Sequence, residues 1–121
     1  MDLINVIKNI IFLPIDFSES DNSQSIYSLL KNTGYFSVHS KINENTILQV
    51  LTNYMDCIEY WFYWSDNKRN NDGWFFLRGN DTYVVGNIGS NGQIIEKFEF
   101  NNVVEACSFF IKKEIESIRK S

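Results

Sequence analysis

A chain of 121 residues that is 44% hydrophobic and 16% aromatic can bury a core of its own, and its length suits a single domain, 1–121. Its net charge of −4 argues against the phosphate-tracking surface that dominates nucleic-acid affinity, and suits a basic partner better. Two cysteines and one histidine offer little for a disulfide framework or a metal centre, so a reducing cytoplasmic setting with no metal and no cofactor is expected.

The chain opens on MDLINVIKNIIFLPIDF. Asp2 stands where a signal peptide carries positive charge, and Lys8 and Asn9 interrupt an apolar run too short to cross a bilayer. This segment reads as a short helix or extended arm packed on the domain, away from any membrane. SESDNSQSIYSLLKNTG then offers Ser20 to Ser23 as caps, Ile26, Leu29 and Leu30 at helical spacing, and Gly34 as a stop. A second helix starts at Asn43 with Glu44 in its first turn. Ile47, Leu48, Val50, Leu51, Tyr54 and Met55 give it an apolar face, and it should end near Asp56 and Cys57.

The period then changes. Four runs of β-formers follow, Ile58–Trp64, Trp74–Leu77, Thr82–Ile88 and Ile94–Phe100, separated by the turn signals DNKRNNDG, GND and GSNG. The last run alternates most clearly, Ile94, Phe98 and Phe100 against Ile95, Lys97 and Glu99, and should be half exposed. Asn102 caps a final helix with Glu105 three residues on. Val104, Cys107, Ile111, Ile115 and Ile118 are its buried stripe, while Lys112, Lys113, Glu116, Arg119 and Lys120 face water. The expected fold is α+β and two-layered: an antiparallel four-stranded meander packed by N-terminal helices and a C-terminal helix.

Residues for catalysis are scarce. His39 has no cysteine or acid at ligand spacing, and Cys57 and Cys107 sit in apolar segments where a thiol is inert. GNDTYVVGNIGSNG lacks the spacing of a phosphate loop, and hairpin turns account for its glycines. Glu59, beside Tyr60 and Trp61, is the one acid with desolvating neighbours, and no partner acid stands at a definable spacing. The chain is therefore read as a binder without catalytic residues.

The densest aromatic stretch is WFYWSDNKRNNDGWFF. Alternation along Ile58–Trp64 would place Ile58, Tyr60, Phe62 and Trp64 under the helices, and Glu59, Trp61, Tyr63 and Ser65 on the opposite face. Three readings of that face are open: covered core, a protein interface, or a stacking platform for a sugar or base. In the second, Trp61 and Tyr63 are anchors, and Asp56, Glu59, Asp66, Asp72 and Asp81 form an acidic rim. A pocket lined by Trp61, Tyr63 and Trp74 would instead mark a small regulatory or ligand-binding module.

Taken together, SDNKRNNDGWFF, TYVVG, EKFEF and EACSFFIKKEIESI resemble the C-terminal half of small bacterial immunity proteins, the cytosolic antidotes of polymorphic toxin systems such as contact-dependent growth inhibition. The similarity spans about Ile58 to Ile118 and lies in pattern, without a diagnostic motif. It implies a monomer or weak homo-oligomer that binds one cognate toxin C-terminal domain and blocks it without turnover. Such toxins are often nucleases with basic channels.

Overall fold

Asp2 caps the first helix, its side chain accepting from the Ile4 N–H at 3.0 Å, and α1 (Leu3–Ile11) follows with Val6, Ile7, Ile10 and Ile11 on its buried stripe. The computed structural model describes residues 2–19, 25–67 and 73–121. Helix α2 (Leu13–Glu19) starts after Phe12 and carries Pro14 in its first turn, where a missing N–H leaves no bond unmade. Helix α3 (Ile26–Asn32) is capped by Ser25, and the expected caps Ser20 to Ser23 lie outside the described residues. Gly34, at φ 94°, stops the helix in the left-handed region and leads into α4 (Tyr35–Val38) and a 3-10 turn over His39–Lys41.

Helix α5 (Glu44–Leu51) has the expected cap, reinforced reciprocally: Asn43 accepts from the Thr46 N–H, and the Thr46 hydroxyl accepts from the Asn43 N–H. It ends at Leu51, short of the expected Asp56, and turns over 52–56 lead into a new helix. That helix, α6 (Cys57–Asp66), overturns the first expected strand. Burial falls on Cys57, Ile58, Trp61, Phe62 and Trp64, and exposure on Glu59, Tyr60, Tyr63 and Asp66. Both sets follow a spacing of three and four, whereas strand alternation would separate Tyr60 from Tyr63 and expose Trp61. Tertiary packing overrides the β preference of the aromatic side chains.

Three strands remain among the described residues instead of four: β1 (Gly73–Arg78), β2 (Tyr83–Ile88) and β3 (Ile94–Phe100), in the order β1-β2-β3 and antiparallel throughout. The class is α+β, with a meander as expected. Pairing of Phe76 with Val85 and of Val85 with Phe98 puts these three on one face, together with Trp74, Tyr83 and Phe100. Helix α7 (Val103–Lys120) lies across that face and inserts Phe109 among Trp74, Phe98 and Phe100, with Phe110 stacked on Phe76. Asn102 caps α7 by accepting from the N–H groups of Val104 and Glu105.

The opposite face carries Phe75, Leu77, Val84, Lys97 and Glu99. Phe75 folds across Gly86, where a Cβ would fall 2.3 Å from its Cζ, so the glycine makes room for the ring. The core lies between the sheet and the helices. Trp61, Tyr35, Phe76 and Phe110 are its largest fully buried side chains, with Ile10, Ile11, Leu51 and Ile111 around them.

Helix α6 also closes one edge of the sheet. The Phe76 N–H points away from β2 and donates to the Ser65 Oγ at 2.8 Å. Ser65→Ala should therefore cost about 1 kcal/mol, because the strand keeps its position but loses the partner of a half-buried N–H. Chemical denaturation reads this, and a neutral result would mean that water replaces the serine.

Candidate functional site

The three tryptophans have separate roles. Trp61 is 0% exposed, with its indole N–H donating to the Ile11 carbonyl at 3.1 Å and its ring against Trp64 and Phe110. Trp64 is buried and donates to Glu114 Oε2 at 2.7 Å. Trp74 is half-buried under Lys113, in a cleft shared with Lys112 and Glu116. Trp61, expected as a partner anchor, is thus a core residue, and no pocket is formed by Trp61, Tyr63 and Trp74 together: the first is internal, the second outward on α6, the third beside α7.

What faces outward on α6 is a single stripe. Asp56 precedes the helix, and Glu59, Tyr60, Tyr63 and Asp66 follow at helical spacing, with Tyr60 44% and Tyr63 60% exposed. Exposure of two neighbouring aromatics on a helix whose other side is locked into the core is the most conspicuous feature of this surface. Arg78, at the end of β1, pairs with Glu59 and lies over the Phe62 ring at 4.0 Å, which fixes the stripe against the sheet. Asp81 is exposed in the β1–β2 turn, three residues beyond Arg78.

Glu59, Tyr63 and Asp66 are therefore brought together, Asp81 stands at the same end of the sheet, Trp61 is removed, and Asp72 lies outside the described residues. Tyr60 and Arg78 were missed by the strand reading. A helical count from Asp56 finds Tyr60 at once, since 56, 59, 60, 63 and 66 form one face. No protein-family model, curated protein or solved structure matches the chain. The geometry and chemistry of its own residues must carry the functional reading.

Elsewhere, the thiols of Cys57 and Cys107 are free and buried. Burial pushes both up, most strongly at Cys107, so neither is an ionised nucleophile at neutral pH. His39 packs its ring edgewise on Tyr35. Among the described residues, no group of three His, Cys, Asp or Glu side chains is placed to hold a metal, and no helix is long and apolar enough to cross a membrane.

One polar cluster departs from expectation. Glu116, Lys112 and Arg119 are only partly exposed and converge on buried Tyr35. The Tyr35 hydroxyl donates to Glu116 and accepts from Lys112 Nζ at 2.8 Å, while Lys112 also reaches the His39 carbonyl at 3.1 Å. Arg119 holds both Glu116 oxygens, at 2.8 and 3.0 Å. That fork lowers the Glu116 carboxyl from 4.5 to about 2, against the opposing effect of burial and with help from Tyr35. Burial and the Glu116 acceptor push the Tyr35 phenol up, and burial draws the Lys112 ammonium down.

A carboxyl held below its unfolded value stabilises the fold above the unfolded pKa and loses that contribution as pH falls through the folded one. Wild-type stability should decline from pH 4.5 down to 2 in part through Glu116, and Glu116→Gln should flatten that decline. Denaturation at a series of acid pH values compares the two. Parallel curves would remove Glu116 from the acid limb.

Proposed function

We propose that this protein is an inhibitor of the immunity type, which binds the C-terminal domain of one cognate toxin in the cytoplasm and blocks it by occupancy. The observation that carries the reading is the α6 stripe: Tyr60 and Tyr63 exposed among Asp56, Glu59 and Asp66, on a helix anchored by Trp61 and Trp64. Tyrosines held on a rigid element bury area with little loss of side-chain freedom, which is how hot spots are built. Surrounding acids speed encounter with a basic surface and discriminate against acidic partners. A nuclease toxin presents a basic substrate channel to such a face, and carboxylates there stand in for phosphate charge. The pattern similarity of Ile58 to Ile118 to bacterial immunity proteins supports the same reading.

Co-expression tests it. The C-terminal domain of a large secreted protein encoded beside this gene should arrest growth alone, and this chain should restore growth and co-purify with that domain. A toxic domain that is neither neutralised nor bound would sink the proposal.

A further inference from the structure

Among the described residues, strand β3 is the open edge of the sheet. Its single strand neighbour among them is β2, and every residue from Ile94 to Glu99 is exposed, Ile94 at 58% and Ile95 at 64%. The backbone phase along the sheet decides which groups meet that edge. Gly79 donates to the Thr82 carbonyl at 2.7 Å, so the bonded pairs of β1 and β2 alternate from there. Phe76 opposite Val85 is then a non-bonded pair, in keeping with the Phe76 N–H turning outward to Ser65. Val85 therefore spends its backbone groups on Phe98, its partner in β3. The N–H and C=O groups of Lys97 and Glu99 point to the open edge.

An edge strand of this length invites another strand, and charged side chains usually guard it. Here the guards are self-complementary. Lys97 and Glu99 share the outer face, two positions apart, with Lys97 Nζ 3.6 Å from Glu99 Oε1. We propose that two copies of this chain pair through β3, antiparallel and centred on Phe98, and merge their sheets into one of six strands. This register sets Lys97 of each copy opposite Glu99 of the other, twice, and lets the same residues exchange their outward N–H···O=C bonds. Centring on Lys97 would oppose two lysines, and centring on Glu96 or Glu99 would oppose two glutamates.

At the twofold axis the two Phe98 side chains meet as a non-bonded pair, the spacing at which cross-strand side chains approach most closely. Each Phe98 is 36% exposed and already rests on its own Phe109, with ring centroids 4.8 Å apart. The dyad thus extends an aromatic cluster that the single chain leaves open on one side. The α6 stripe belongs to the β1 side of the sheet, so both copies keep it accessible in this arrangement.

Sedimentation equilibrium on the full chain at low salt tests the proposal. Wild type is expected to form dimers, and the dimer should weaken as salt rises. Lys97→Glu, at a side chain about half exposed, replaces two attractive cross-strand pairs with two repulsive ones and should weaken the dimer about tenfold or more. The double exchange Lys97→Glu with Glu99→Lys recreates the complementarity and should restore it. Amide exchange at Lys97 and Glu99 should slow as protein concentration rises. A chain that stays monomeric at millimolar concentration, a Lys97→Glu protein that dimerises like wild type, or a double exchange that fails to recover would overturn the pairing.

Discussion

Replacing Trp61 with alanine should cost about 3–5 kcal/mol of folding stability, a large share of the roughly 5–15 kcal/mol that holds a domain together. Its ring is fully buried against Trp64 and Phe110, so truncation leaves a cavity that rigid helices on two sides cannot refill. The indole N–H adds a bond to the Ile11 carbonyl, fifty residues away in sequence, which ties α6 to the end of α1. Trp61→Phe separates the two effects. It keeps most of the volume and leaves that carbonyl without its donor, and should cost about 1–3 kcal/mol. Urea denaturation measures both. A loss for Trp61→Ala no larger than that of an exposed substitution would place the side chain outside the core.

Two residues further on, Tyr63→Ala should do the reverse. With 60% of its surface exposed, its truncation should leave stability within about 0.5 kcal/mol of wild type. Under the proposed function, binding of the cognate domain should weaken by about 2 kcal/mol, or roughly thirtyfold, mostly through faster dissociation. Asp66→Lys should act on association instead, slowing it and reducing its dependence on salt. Calorimetry and stopped-flow mixing with the purified toxin domain distinguish these effects. Unaltered binding in both variants would move the contact surface off α6, even if the chain still neutralises the toxin.

The contrast between Trp61 and Tyr63 shows where the sequence was legible. The caps Asn43 and Asn102 act as expected, because a cap needs only its own next three residues, whereas α3 takes Ser25 as its cap and not one of the expected Ser20 to Ser23. The β-runs Trp74–Leu77, Thr82–Ile88 and Ile94–Phe100 correspond to strands within a residue or so, each bounded by turn residues that forbid much else. Ile58–Trp64 has no such boundary on its N-terminal side. Six β-formers in seven residues, with Glu59 the exception, look like a strand to any local preference, and only burial against α1, α7 and β1 selects the helix.

That one exchange of period turned the first of the four expected strands into α6 and carried Trp61 from surface to interior. It left Glu59, Tyr63 and Asp66 together on the helix, because 59, 63 and 66 share a helical face as well as their earlier grouping. The Tyr35–Glu116 bond was out of reach for a different reason. It joins groups 81 residues apart, and nothing near either one signals the other. The stripe of α7 was right at Val104, Cys107, Ile111 and Ile115, while Lys112 and Glu116 were assigned to water although Tyr35 supplies their polar partner from across the fold.

Helix α7 has a consequence for how the protein is made. It packs on α5 and α6 and covers all three strands, yet it leaves the ribosome after every other described element. Until then the inner sheet face, with Phe76 and Val85, and the α6 side that bears Trp61 have no completed cover. Most of the cooperative folding must wait until α7 has emerged, and the nascent chain displays adhesive aromatic surface for the interval in between. Chains stalled before Val103 and chains stalled after Lys120 has cleared the ribosome should differ sharply in protease resistance, with protection gained only in the second.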